Sequence, residues 1–446
     1  MDKWNRHGLV IATALAFLAI LGLGWPGAVG TDMKSVLLSA QGDGSVCGHY
    51  APMFTFLWRC ILSLIPLPVA LPCAFLIQQT AYWMLIGLLA LQAHRQGCAL
   101  IAWATVAMGL APPLLCFSIA IESNVLGGTA WGLAIAHCAA RRHPSALKLA
   151  APLWAIGYMS RYGMIVSAIP AAASMLLLAA PGISKLRAVL LAASCGALMQ
   201  CTTFCITKYG LGNPSSMSVV SISQLYDLAG MQSMGCRIGI PSFAIPTGAT
   251  ATEVLKHYDP RFCSTIFWRD DGQPVLVPPS NMEHWHDLQV AWISAIFSDF
   301  DRYASIKLRF AEEFLMVGKL YALGPNPEFS GGAALGISAP TDEEAHWITR
   351  YSRWTQLSAI WRPWVWLSVS LVCVCAGLLM KARSAWAAAA AWTAAVAALL
   401  PHLLMGQAVA CRYYFTTFLL CGSGAAFVAP ELYSRWRTWI ARRRSS

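Results

Sequence analysis

Leu9 to Ala28 forms an almost unbroken apolar run, and runs of similar length recur along the chain, which leaves few architectures open to it. A helix rises about 1.5 Å per residue, so roughly 20 apolar residues cross about 30 Å of hydrocarbon. In lipid the backbone polar groups have only each other as partners, so each such run must be helical. The pattern predicts spans at 8–29, 73–93, 98–120, 125–140, 146–160, 162–181, 187–207, 356–380, 384–405 and 411–429. Only 11% of the 446 residues are charged, and mean hydropathy is +0.55. Soluble domains carry about 25% charged residues. The expected fold class is therefore all-α, a polytopic membrane protein with about ten transmembrane helices. The first apolar run exceeds the 7–15 residues usual in the core of a cleaved signal and is read as a retained helix.

The formal charge of +11 could suggest a polyanion partner, but its distribution argues for topology. With a cytoplasmic N-terminus, the inner segments hold 15 basic residues, among them Arg95, Arg141, Arg142, Lys185, Arg187, Lys381 and Arg435, against only Asp2 and Glu431. Everything else carries 16 basic and 18 acidic residues. One-sided enrichment of this kind is what the positive-inside rule expects, and nucleic acid is not an expected partner. Both termini are then cytoplasmic.

Three parts follow. Residues 1–207 form an N-terminal transmembrane module with a first outer loop, and 208–355 an extracytoplasmic region. Residues 356–446 supply the last spans and a basic tail. Met53 to Ile65 is too short to cross and reads as a juxtamembrane helix, with Arg59 reaching headgroups. In the outer region, helices are expected over Val219–Ala229 and from about His286 to Leu323, between segments broken by Pro and Gly. Cys236 and Cys263 lie where disulfides can persist, which leaves a bridge between them open. His284 and His286 are spaced i, i+2, unlike the i, i+4 pairs of zinc helices, so a metal is not expected there. Asp287 is expected near the positive start of the long helix.

Chemistry concentrates at the outer face. Asp32 follows the first span, and Glu122 and Asn124 lie in the next short outer loop, so two carboxylates from separate loops share one level. A carboxylate at the lipid boundary is suited to accept a proton from a hydroxyl, whereas solvated loop acids are the plainer reading.

The pattern of Asp32 followed by "SAQGDGSVCGHYAPMFTFLW" resembles the first outer loop of GT-C membrane glycosyltransferases. Within them it is similar to the bacterial protein-mannosyltransferase and aminoarabinose-transferase group. Ala40-Gln41-Gly42 and His49-Tyr50-Ala51-Pro52 stand at that family's Gln-bearing helix and His-Pro element. "QQTAYWMLIGLLAL", "PPLLCFSIAIESNVLGGTAW", "YMSRYGMIVSAIPA", "LYDLAGM" and "CRYYF" continue the likeness in order. Two departures, Glu122-Ser123-Asn124 in place of a Lys-Asp or acidic pair and Ala51 between the prolines, leave subfamily and metal dependence open.

The resemblance implies inverting transfer of a sugar from a polyprenyl-phosphate donor to a hydroxyl of a glycan, lipid or protein, at the extracytoplasmic face of a bacterial inner membrane. It implies Asp32 as general base, with Arg161, Tyr162, Arg412 and Tyr413 at the lipid phosphate. Glu122 and Asn124 would hold the acceptor, His49 would shape the Asp32 loop, and Asp227 would contact substrate or pair within the outer region. No metal ligands are assigned, a divalent cation at Glu122 is left open, and no other cofactor is implied. An O-antigen ligase or polymerase, with its key residues in the late outer loop, is the second enzymatic reading. A lipid or solute transporter is the third, though the spans hold few charges at midplane depth.

Overall fold

The computed structural model describes residues 2–29, 31–42, 52–160, 164–210, 217–247, 250–267, 275–317, 350–351, 354–355, 358–406 and 411–445. Within these ranges the side chains of 2–5, 31–32, 164, 210, 217–219, 264, 411–412 and 444–445 are not described. The described residues form eighteen α-helices, several short 3-10 turns, one π turn and one two-residue parallel strand pair. The chain is an all-α, membrane-embedded protein.

Five helices are long and apolar enough to cross a bilayer: Arg6–Gly24, Leu67–Arg95, Lys185–Tyr209, Ala385–Leu404 and Phe415–Arg443. A sixth crossing results if the pair Ala99–Gly109 and Pro112–Ser118 counts as one span bent by 49°. The expected span at 98–120 breaks there because Pro112 and Pro113 cannot continue a helix. Pro112 also drives the preceding Ala111 to an extended ψ of 135°.

The other four expected spans are helices too, at Ser123–Arg141, Leu147–Ser160, Met164–Ala179 and Pro363–Leu379, without meeting the length and apolarity of a full crossing. Ser123–Arg141 has the length but is rich in Gly, Ala, Ser and Thr, and most of its residues are buried against protein. It packs on Leu67–Arg95, Leu147–Ser160, Met164–Ala179 and Phe415–Ser445. Small residues let these backbones approach closely. A Cβ on Gly127, Gly128 or Gly132 would lie within 3 Å of Ser160, Thr416 or Leu85 respectively.

The basic helix ends expected on the inner side gather at one end of the bundle. Arg142 pairs with Glu431 at 2.9 Å, and the Ser384 amide donates to the same carboxylate at 3.3 Å. Arg435 donates to the Met380 and Lys381 carbonyls, and Lys185 lies 3.6 Å over Trp386. The strand pair and the outer region occupy the opposite end.

The outer region builds a second core from Leu225, Leu228, Val254, Ile266, Leu276, Leu288 and their neighbours. Its first helix runs Met217–Ser233, longer than predicted at each end. The single helix expected from His286 is two, Met282–Ser298 and Phe300–Phe314. They are divided at Asp299, whose φ of −148° and ψ of 52° are not helical. The start is earlier because Asn281 Oδ1 accepts the His284 amide at 2.8 Å, which moves Asp287 from the helix end into its second turn. Cys236 and Cys263 are buried free thiols in this core, not a disulfide. His284 stacks on Phe243 at 4.4 Å, which uses the ring in packing. The juxtamembrane segment is helical over Pro52–Leu64 and packs on Thr31–Gln41. Arg59 turns back to donate to the Ser39 carbonyl at 3.4 Å rather than standing clear for headgroups.

Candidate functional site

The site begins with a tight turn after the first helix. The Gly27 amide donates to Gly24 O at 2.7 Å, and Gly27 has φ +96° with its absent Cβ 2.8 Å from the Phe75 ring. Only glycine meets both demands without strain. The turn sends strand β1, Ala28–Val29, alongside strand β2, Ala120–Ile121, in parallel register Ala28↔Ala120 and Val29↔Ile121. Two amides of the Leu67–Arg95 helix fix β2 from behind. Gln78 Nε2 donates to Ser118 O and Ala120 O, both at 2.8 Å, and Gln79 Nε2 to Ser118 O at 2.5 Å.

From this pair the helix Thr31–Gln41, which carries Asp32, and the residue Glu122 depart side by side. The Asp32 backbone is described and its side chain is outside the described set, as is all of His49. Glu122 is the N-cap residue of Ser123–Arg141, with its φ of −135° and ψ of 144° in the extended region. Glu122 and Asn124 are 4% and 3% exposed. A helix N-terminus favours negative charge through its unpaired N–H groups, which suits a carboxylate at this cap. Asn124 Nδ2 and Gln79 Oε1 are buried without hydrogen-bond partners among the described residues. Polar atoms so placed are costly in a sealed interior and natural contacts for a ligand.

Two further segments reach the same helix end. The turn Cys411–Tyr414 carries Arg412, whose side chain is outside the described set. Two residues beyond the turn, Thr416 Oγ1 donates to Asn124 O at 3.2 Å and packs on Gly128. Tyr413 stacks on His402 with ring centroids 4.3 Å apart and planes at 12°. Tyr414 donates to Phe314 O, joining this turn to the outer region. Arg161 and Tyr162 lie outside the described residues. The adjoining Ser160 is buried against Gly127, which brings the chain to that break beside the first turns of Ser123–Arg141.

Asp227 is placed elsewhere. It is buried in the outer core, where Lys307 Nζ donates to Oδ1 at 2.6 Å and Trp292 Nε1 to Oδ2 at 3.2 Å. Burial pushes its carboxyl up from the ordinary carboxylate range, against the pull of Lys307. This is internal pairing.

Gln78 and Gln79 are structural members of the site that the sequence reading did not assign. The available signal was two adjacent amides inside an otherwise apolar span, where polar groups are expensive unless used. For a divalent cation, Glu122 and Asn124 supply one carboxylate and one amide oxygen. No group of three His, Cys, Asp or Glu gathers among the described residues. Mg²⁺ commonly takes one or two protein carboxylates and completes its shell with water and substrate phosphate oxygens. No protein family, curated protein or solved structure matches the chain.

Proposed function

We propose that the protein is a membrane glycosyltransferase that moves a sugar from a polyprenyl-phosphate donor to an acceptor hydroxyl, with Asp32 as general base. The observation that carries this reading is convergence on one turn. The strand pair brings the Asp32 helix beside Glu122, and Thr416 brings the turn that carries Arg412 and Tyr413 to the start of the same helix. A candidate base, a buried acidic cap and an arginine-bearing turn at one bundle end support such a transfer.

In the proposed step Asp32 takes the proton of the acceptor hydroxyl as its oxygen bonds to the anomeric carbon. The bond from that carbon to the phosphate oxygen breaks, and the prenyl phosphate leaves with the electron pair. Charge grows on the phosphate, where Arg161 and Arg412 would meet it with charge-assisted hydrogen bonds. Glu122 and Asn124 would orient the acceptor.

The test is prenyl-phosphate release in proteoliposomes supplied with bacterial polyprenyl-phosphate sugars and envelope lipids. Asp32→Asn should lose turnover by a factor of 10² or more, in the range general-base removal gives, and still bind undecaprenyl phosphate. Wild-type turnover in that variant would refute Asp32 as the base. Under the ligase reading it is the outer-loop residues whose loss abolishes transfer.

A further inference from the structure

The outer region contains a cavity of about 630 Å³ lined by Lys256, His257, Asp259, Arg261, Arg309 and Glu313, among others. Its floor is rigid. Arg261 grips Asp259 through Nε at 2.9 Å, Nη2 at 2.7 Å and its own backbone N–H at 2.8 Å. Tyr226 donates to the Asp259 carbonyl at 2.5 Å, and its ring lies 5.1 Å from that of Tyr258. Burial works against the charged Asp259, but the Arg261 contacts outweigh it and hold the carboxyl below the ordinary range. The capping box of Thr250 and Glu253 fixes the short helix Ala251–His257 that delivers Lys256.

Asp259 is thus occupied by Arg261, and neither Lys256 nor Arg309 has an ion-pair partner among the described residues. Two cations therefore face a cavity within the usual size of small-ligand sites. Every lining residue comes from 256–313 and none from the helices long and apolar enough to cross a bilayer, so the cavity belongs to the outer region. Arg309 and Glu313 alternate along one helix with Phe310 and Phe314. Those rings pack on Gly406, His402 and Tyr414, next to the Arg412 turn.

We propose that this cavity binds an oxyanion-bearing saccharide, as the water-borne acceptor of the transferred sugar. The acceptor role rests on the glycosyltransferase reading, whereas anion binding does not.

The test uses the full-length protein in nanodiscs, titrated calorimetrically with glucose 6-phosphate, glucuronate and glucose. The expected result is binding of one or both anionic sugars, weakened by salt, and none of glucose. The stronger of the two tells phosphate from carboxylate as the recognised group. Lys256→Ala and Arg309→Ala, both at exposed positions, should each weaken anion binding about tenfold, the size of one charge-assisted hydrogen bond. Asp32→Asn should leave it unchanged. Equal binding of glucose, binding indifferent to both substitutions, or no binding of either anionic sugar overturns the proposal. Absent transfer with intact anion binding removes the acceptor role and leaves the anion site. Transfer without anion binding removes the cavity alone.

Discussion

Lys307→Met should destabilise the outer region strongly, and only when Asp227 is ionised. The side chains of Asp227 and Lys307 are 5% and 16% exposed, with 2.6 Å between Oδ1 and Nζ. At that distance and an effective dielectric of about 20, the attraction is roughly 6 kcal/mol. Most of it offsets the desolvation of two charges, so the intact pair adds little net stability. Removing one partner is different, because among the described residues the carboxylate then keeps Trp292 Nε1 at 3.2 Å and stays buried. Breaking a buried pair this way costs about 3–5 kcal/mol. Asp227→Asn should cost less, since its amide oxygen still accepts a hydrogen bond and the more exposed Lys307 can reach water. The double variant should cost less than the two singles together.

The pH dependence gives the sharper test. Asp227 already titrates above its ordinary 3.8 because burial disfavours its charge, and Lys307 and Trp292 oppose that rise. Without Lys307 the folded-state value climbs further. A carboxyl whose folded pKa is raised stabilises fully below its unfolded value, and that stability is lost as pH rises through the folded value. The deficit of Lys307→Met should therefore be small below about pH 4 and complete once the pH passes the raised value. Hydrogen exchange of amides in Met217–Ser233 and Phe300–Phe314, on the full-length protein in nanodiscs, reads this directly. The variant should exchange roughly 10² to 10³ times faster at neutral pH after correction for intrinsic rates. Wild-type protection at neutral pH, or the same deficit on both sides of the window, would refute the reasoning.

Gly157→Ala should lower the thermal midpoint in detergent, because its Cβ would lie 2.2 Å from the indole nitrogen of fully buried Trp131. Overpacking of this kind costs about 1–3 kcal/mol. Gly182→Ala, with open space at its Cβ position, should leave the midpoint unchanged. Gln78→Leu should remove the amide donor from the Ala120 carbonyl at a cost of about 1–3 kcal/mol, while Ser118 O keeps its bond from Gln79 Nε2. In the proteoliposome assay it should reduce transfer while leaving the bundle folded by circular dichroism. Cys236 and Cys263 should react with maleimide at neutral pH only after unfolding, and intact mass should be the same with and without reductant. Both thiols are buried, and burial pushes Cys263 up to about 12.

The helices were legible because lipid imposes one rule on every apolar run, and each predicted span is met by a helix. Their ends were less so. Pro112 broke one span at a place that a hydropathy window averages over, and Asn281 started an outer helix before its apolar pattern began. The pairing of the Asp32 and Glu122 loops was readable as a shared level, but its means was not. A two-residue strand pair and a Gln78–Gln79 clamp leave no periodic signal. Asp227 shows the converse limit. Its partner stands 80 residues away, and nothing local to "LYDLAG" distinguishes an internal ion pair from a ligand contact.

The central position of Ser123–Arg141 and the placing of the candidate site at its start share one cause. A span facing lipid gains from large apolar side chains, but Gly127, Gly128 and Gly132 give those up and gain close contact with Ser160, Thr416 and Leu85 instead. Glycines only one or two turns into the helix bring the chain before Arg161 and after Arg412 against it near its N-terminus, where Glu122 is buried. The helix dipole favours an ionised cap by about 0.3–1 kcal/mol at exposed sites and up to ~2 kcal/mol when partly buried. Desolvating a carboxylate costs several. The dipole alone therefore does not offset that cost, and the turn that packs on Gly128 through Thr416 is the one that carries Arg412. Bulky side chains at Gly127 or Gly128 would meet Ser160 or Thr416, so the close packing at this turn should fail.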